Sequence, residues 1–396
     1  MESLSVRCAI GIAAACLSVA AAGGQMLSEE SDTPWQLSLR VGGQYSDNRD
    51  GTTTNAQGNF DGIMEPCADF RYRDADRTSV RLTLTPVLKW HSNPRVDQHE
   101  TDLFGAAGLD LMYRFTPTAT LNAGDRLSYS DDSQVIENGI TVRRNESCFQ
   151  NAAYVGVDEA LTADAGVGGT VKSASTRYRD DSVAREADSD SLSGDVAPRY
   201  LVGCGWTVLG LAGVSEFHEA KTERNRGSTT VTCDTGVEKT FTTDLIGKVT
   251  GGYQAVRYDN SDLESAHMMN GQAEMVFQST APTRFRVGAG YGYQPPSVSA
   301  YSVKKATTLS GTIDHDVLAD RLTVSLQGQF VESQYRGEGE EAPGGSEKMT
   351  RIGVHSTYYL TKKCALTGGY TFEKWESSLR DSFERNLVDL SVRTEW

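Results

Sequence analysis

The sequence predicts an all-β protein: one antiparallel, up-and-down transmembrane β-barrel of about 18 strands (roughly 16–18) behind a cleavable signal peptide. Three observations carry this. Apolar and polar residues alternate with period two over stretches long enough to cross a bilayer. Tight turns and longer polar loops mostly alternate between those stretches. The chain ends on an alternating strand closed by Trp396.

Residues 1–22 read as the signal peptide. Arg7 supplies a short positive region, Cys8 to Ala22 a small apolar one, and Ala20-Ala21-Ala22 or Ala22-Gly23-Gly24 the small residues that cleavage needs. A lipoprotein signal at Cys16, after Ala13-Ala14-Ala15, is the weaker reading, because the apolar stretch ahead of it is very short. Residues 23–396 then form the barrel as a single domain.

In the first strand, Trp35, Leu37, Leu39, Val41, Gly43 and Tyr45 alternate with Gln36, Ser38, Arg40, Gly42 and Gln44. Val80, Leu82, Leu84, Pro86, Leu88 and Trp90 repeat the pattern, as do Leu103 to Phe115, Leu322 to Phe330, Ile352 to Leu360 and Leu366 to Phe372. The last strand sets Val388, Leu390, Val392 and Trp396 against Asp389, Ser391, Arg393 and Glu395. These strands run about 10–14 residues, against the 5 or 6 usual in soluble sheets. A tilted membrane-spanning strand needs about 9–11.

Tight connections are expected at Asp74 to Arg77, Thr116-Pro117-Thr118, Asp158 to Ala163, Val202 to Cys204, Thr280-Ala281-Pro282 and Thr361-Lys362-Lys363. Long polar ones are expected at Asp47 to Asn59, His91 to Glu100, Asp131 to Ser147, Arg179 to Asp190, His218 to Gly227 and Gln334 to Lys348. Short periplasmic turns and long outer loops produce this rhythm, and it puts both termini on the periplasmic side. Between about 149 and 320 the strands are rich in Gly, Ala, Ser and Thr, and alternation weakens. Asp125 falls on the apolar side of its strand, which suggests a bulge or a girdle-level position.

Composition agrees. A net charge of -15 argues against nucleic-acid binding. Only 38% of residues are hydrophobic and the mean hydropathy is -0.42, as expected when every second strand residue faces a polar lumen. No run of about 18 apolar residues follows the signal. Cys67, Cys148, Cys204, Cys233 and Cys364 are odd in number and contain no C-x-x-C pair, so no zinc or redox motif is indicated and no pairing follows.

The polar strand faces hold Arg40, Arg71, Arg73, Arg81, Lys89, Arg114, Arg126, Lys248, Arg286, Arg351 and Arg393, with Glu65, Asp69, Asp110, Glu373, Asp389 and Glu395. Pore lining is assigned to Arg40, Arg71, Arg73, Arg81, Lys89, Asp110, Arg114, Arg126, Arg286 and Arg351. The chain's acidity is placed in loops: Asp180, Asp181, Glu186, Asp188 and Asp190 in one, Glu338, Glu340, Glu341 and Glu347 in another. The expected lumen is therefore mixed in charge or mildly basic, beneath acidic outer loops. For any single arginine, pairing with a wall carboxylate is the plainer role. No G-x-S-x-G elbow or H-E-x-x-H occurs, and Asp314-His315-Asp316 reads as a turn, so neither enzyme, metal nor cofactor is expected.

Several of these residues together resemble a family. Tyr45-Ser46-Asp47-Asn48 closes the first strand, and a second strand leads through Pro66 to Phe70-Arg71-Tyr72-Arg73. An Arg-rich third strand, the turn Tyr113-Arg114-Phe115-Thr116-Pro117, Gly124-Asp125-Arg126-Leu127 and the closing Arg385-Asn386 follow. The pattern is similar to the second family of β-barrel porins, bacterial outer-membrane proteins of which some are associated with exopolysaccharide export. The resemblance spans most of the mature chain and implies a barrel with a pore. Val388, Leu390, Val392 and Trp396 resemble the signal by which the barrel-assembly machinery recognises its clients. The expectation is an outer-membrane channel for passive diffusion of small hydrophilic solutes or ions. A component of exopolysaccharide export, or a surface-exposed structural or ligand-binding barrel without an open pore, is the alternative. Expected partners are outer-membrane lipid and lipopolysaccharide, the assembly machinery, and small solutes or polysaccharide.

Overall fold

A strand leaves a row of backbone N–H and C=O groups open along each edge, and hydrocarbon offers them no partner. A sheet that curls until its two edges meet pairs all of them, and this chain does so. The computed structural model describes residues 34–396 apart from 50, 52–55, 75–76, 95–98, 131–134, 137–139, 142–146, 180–187, 220–226, 260–264, 279–281, 295–300, 319–320, 338–343 and 380. The expected signal peptide lies outside the described residues.

The strands are β1 (Trp35–Ser46), β2 (Asn59–Asp74), β3 (Thr78–His91), β4 (Thr101–Arg114), β5 (Ala119–Ser130), β6 (Val135–Ile136), β7 (Ile140–Thr141), β8 (Cys148–Ala160), β9 (Ala165–Tyr178), β10 (Ser189–Gly203), β11 (Trp206–Glu219), β12 (Ser228–Thr240), β13 (Leu245–Tyr258), β14 (Ala266–Phe277), β15 (Thr283–Gln294), β16 (Tyr301–Leu318), β17 (Leu322–Gly337), β18 (Gly345–Thr361), β19 (Cys364–Ser377) and β20 (Phe383–Glu395). The two-residue strands β6 and β7 pair only with each other. Every other strand pairs antiparallel with the next along the chain, and β20 returns to β1 from Ser38↔Glu395 to Ser46↔Leu387. The result is a closed, 18-stranded antiparallel β-barrel, as the alternation predicts.

Most barrel strands have the expected 10–14 residues, while β2, β10, β16, β17 and β18 run longer, up to 18 residues in β16. The difference lies where polar sequence reads as loop but the backbone goes on pairing. β17 and β18 hold their register to Tyr335↔Gly345, inside the loop expected from Gln334 to Lys348. Asp314-His315-Asp316 is not a turn but part of β16. Asp316 accepts from Arg284 at 3.1 Å, and His315 Nδ1 lies 2.9 Å from Thr283 Oγ1 on the other face. The register of β4 with β5 is continuous from Gly105↔Tyr129 to Arg114↔Thr120, so Asp125 marks no bulge.

The expected tight and long connections fall at opposite ends of the barrel. Three short turns share a design: an apolar residue, a threonine, and an apolar residue three positions later. Thr116, Thr162 and Thr242 each accept the backbone N–H three residues on through Oγ1, at 3.0, 3.0 and 3.1 Å. The flanking Phe115, Leu161 and Phe241 donate to the carbonyls of Ala119, Ala165 and Leu245. The turn between β10 and β11 works differently. Gly203, Cys204 and Gly205 all have positive φ, of 106°, 50° and 73°, which glycine adopts without strain on either side of the cysteine.

The outer wall is apolar. Two rows of exposed aromatics ring it: Trp35, Tyr113, Phe115, Tyr200, Trp206, Phe241 and Trp396 towards the short turns, and Tyr45, Phe149, Tyr253 and Tyr291 towards the long loops. Such girdles mark the two interfaces of a membrane barrel. Tightly packed apolar groups lie towards the long-loop end, with Val256, Tyr258, Met268 and Tyr293 in one cluster and Val331, Met349, Trp375 and Phe383 in another. Among the described residues no disulfide joins Cys67, Cys148, Cys204, Cys233 and Cys364.

Candidate functional site: the polar lumen

Directly opposed residues of an antiparallel pair share a face, so register decides which side chains meet. Arg71 opposes Arg81, Arg81 opposes Asp110, Asp110 opposes Gly124 and Gly124 opposes Tyr154. Arg40 opposes Glu65 on β2 and Arg393 on β20. Carried round the barrel, this puts Arg40, Arg71, Arg73, Arg81, Lys89, Asp110, Arg114, Arg126, Arg286 and Arg351 on one continuous face. Lys248, Arg393, Glu65, Asp69, Glu373, Asp389 and Glu395 share it. The other face presents Leu84, Leu109 and Leu390, exposed at 54%, 42% and 59% on the outer wall. The polar face therefore encloses the lumen.

Within the lumen the arginines divide into two groups. Most are held by wall carboxylates. Asp69, nearly buried, accepts Arg71 through Nε (3.0 Å) and Nη2 (2.6 Å). It also accepts Arg81 through Nε (3.1 Å) and Nη2 (2.9 Å), so one carboxylate holds two half-exposed guanidiniums side by side. Arg40 pairs with Glu65 at 3.0 Å, Arg286 with Glu274 at 3.4 Å and Arg393 with Glu395 at 3.1 Å. Glu373 bridges Arg351 at 3.3 Å and Arg385, which donates through Nε at 3.0 Å and through Nη2. The half-exposed pairs among these contribute about 0–1 kcal/mol each to stability, and they fix where the charges stand. Among the described residues, Arg73, Arg114 and Arg126 make no ion pair, and Asp110 accepts the Tyr154 hydroxyl at 3.3 Å and faces Arg81 across the β3–β4 pair. These three guanidiniums stand on the lumen faces of β2, β4 and β5 with no carboxylate partner among the described residues.

A second polar cluster is not anticipated by the sequence reading. At the long-loop end of β2–β4, His91, only 2% exposed, lies with Nδ1 2.8 Å from Asp61 Oδ1 and Nε2 3.6 Å from Asp102 Oδ2. Lys89 Nζ approaches Asp61 Oδ2 at 3.3 Å. Asn59 donates to Asp61, and its carbonyl oxygen accepts the Asn93 N–H at 3.0 Å, tying the chain beyond β3 to β2. Lys89, assigned to the pore, is thus a buried wall contact. The available signal was the continuation of β3's alternation by one step, from Lys89 to His91.

The acidic-loop expectation needs a similar correction. Asp188 is buried and accepts the Tyr178 N–H at 2.8 Å. Asp190 lies in β10 and takes Arg177 on both oxygens at 2.7 Å. Glu347 lies in β18 and accepts the Tyr335 hydroxyl at 2.8 Å. These three close the ends of strands instead of lining a loop. Asp180, Asp181, Glu186, Glu338, Glu340 and Glu341 lie outside the described residues. At the C-terminus, Val388, Leu390 and Val392 point outward from β20, and the Trp396 N–H donates to Leu37 O at 2.9 Å.

Solved structures share this architecture. The outer membrane protein opdK of Pseudomonas aeruginosa matches with a TM-score of 0.50 at 10% identity, over 91% of this chain and 99% of that one. OpdQ of the same organism matches with a TM-score of 0.50 at 11% identity, over 92% and 100%. OccK2 (OpdF), also from Pseudomonas aeruginosa, matches with a TM-score of 0.50 at 11% identity, over 91% and 98%. At such identities the likeness is one of fold. No curated protein matches the chain. The sequence signal comes from the C-terminal part: residues 214–396 match the family described as "Putative beta-barrel porin 2", the family that the residue patterns resemble.

Proposed function

We propose that this barrel is an outer-membrane porin-like channel through which small hydrophilic solutes or ions diffuse passively. The observation that carries the reading is the open, polar inner face. Lumen side chains remain accessible inside a closed wall, with Arg71 and Arg81 at 61% and 50% exposure and Arg286 at 69%. Barrels of 16–18 strands commonly leave an aqueous channel. The family match supports the same reading. The chain acts as a conduit rather than an enzyme, and the assigned lining residues, Arg73, Arg114 and Arg126 above all, bias which ions pass.

In this reading the short turns and both termini face the periplasm, and lipopolysaccharide surrounds the long-loop end. The alternating C-terminal strand with Trp396 is the feature that the assembly machinery engages. The test is single-channel conductance of the refolded protein in a planar bilayer, with reversal potentials under a salt gradient. Stable open steps are expected. A heat-modifiable, correctly folded barrel that never conducts overturns the diffusion reading.

A further inference from the structure

Asp125 sits where a carboxylate has no obvious reason to be. Its backbone opposes Leu109 on β4 and Ala153 on β8, and its side chain stands exposed on the apolar outer wall beside Leu127 and Val155. Along β5 it is midway between Tyr129 and Leu121, and Leu121 opposes Tyr113 of the short-turn girdle. It is therefore not at girdle level but near the middle of the hydrocarbon belt. Asn151 Nδ2 donates to Asp125 Oδ1 at 2.7 Å. A carboxylate offers about four acceptor sites, and acyl chains supply no donor for the rest. On β9 the polar patch continues through Ser173, opposed to Ala153, and Ser175, opposed to Asn151.

We propose that the outer flank formed by β5, β8 and β9 is a protein–protein interface, and that a second copy of this chain covers it in the membrane. The patch carries both halves of the chemistry it needs. Asp125 has acceptor sites to fill, and Asn151, Ser173 and Ser175 carry amide and hydroxyl donors. A second copy, inserted with the same topology, presents those donors within the same membrane layer, which neither a lipid tail nor a randomly inserted helix does. Small side chains beside the patch, Ala123, Ala153 and Gly169, let another barrel wall approach closely.

Native mass spectrometry of the full protein, released from phosphatidylethanolamine–phosphatidylglycerol vesicles, tests this. The wild type is expected to leave the bilayer as a dimer or larger assembly. Asp125→Leu is expected to raise the monomer fraction at least tenfold, with the heat-modifiable mobility of the folded barrel kept. Should Asp125→Leu not fold, the double variant Ser173→Leu/Ser175→Leu, which spares the carboxylate but removes donors, is expected to dissociate the assembly as well. A wild type that is monomeric at every protein-to-lipid ratio overturns the proposal. So does an assembly unmoved by the folded variants. A monomer that carries bound phosphatidylethanolamine, whose ammonium is a donor, lost on Asp125→Leu, overturns it in favour of a lipid site.

Discussion

Replacing Leu84 with arginine tests the assignment of the two wall faces. Leu84 is central in the 14-residue strand β3, opposes Ala68 and Ala107, and is 54% exposed on the outer wall. A guanidinium there meets hydrocarbon, with only alanines beside it and no carboxylate directly opposed. Arginine on the lipid face near the midplane costs about 2–4 kcal/mol. That is roughly a 30- to 700-fold loss in the folding equilibrium. Thr83, one residue away, faces the lumen opposite Asp69, which already holds Arg71 and Arg81, so Thr83→Arg turns to water and should cost no more than about 1 kcal/mol, well below Leu84→Arg. The assay is reversible guanidinium unfolding from lipid vesicles, followed by tryptophan fluorescence. Equal costs for the two variants, or a neutral Leu84→Arg, would mean that the faces have been assigned the wrong way round.

Three other outcomes follow from the same geometry. Asp69→Asn should release Arg71 and Arg81 and move the reversal potential towards anion preference, at a stability cost of about 1 kcal/mol. Double charge reversal, Arg71→Glu with Arg81→Glu, should move it towards cations, and an unchanged potential in both would remove these residues from the conduction path. The Tyr154 ring covers Gly124, where an added Cβ would come within 2.8 Å of Cζ. Gly124→Ala should therefore cost about 1–3 kcal/mol in the wild type and much less in a Tyr154→Ala background, a coupling that a double-mutant cycle measures. Deleting Trp396 removes its backbone bond to Leu37 and the aromatic end of β20, and should lower the heat-modifiable fraction recovered in outer membranes at equal expression.

The alternation shows how far local pattern reaches. Each of Arg40, Arg71, Arg81 and Arg126 was assigned to the polar side of its strand from its immediate neighbours, because the side-chain period of a strand is two wherever that strand goes. What each arginine touches was not legible. Asp69 precedes Arg71 by two residues on its own strand, yet it also holds Arg81 of the next strand, and that contact depends on the β2–β3 register. The same holds for His91, which read as the start of a loop. Its two carboxylates come from β2 and β4, on either side of it. Asp188 and Glu347 read as loop charges in the sequence, because acidic residues beside Gly and Ser look like solvated loop until their acceptors are seen to be filled.

By itself, then, the sequence determined the class of fold, the direction of each well-patterned strand's two faces and the approximate number of strands. Those properties follow from a period of two and from chain length, both local quantities. The tertiary structure alone decided the closing pair β1–β20, the extension of strands into polar sequence, the partners of the wall charges and the depth of Asp125. Each of these depends on backbone hydrogen bonds between residues far apart in the chain. A strand carries no mark of its register until its neighbour is in place.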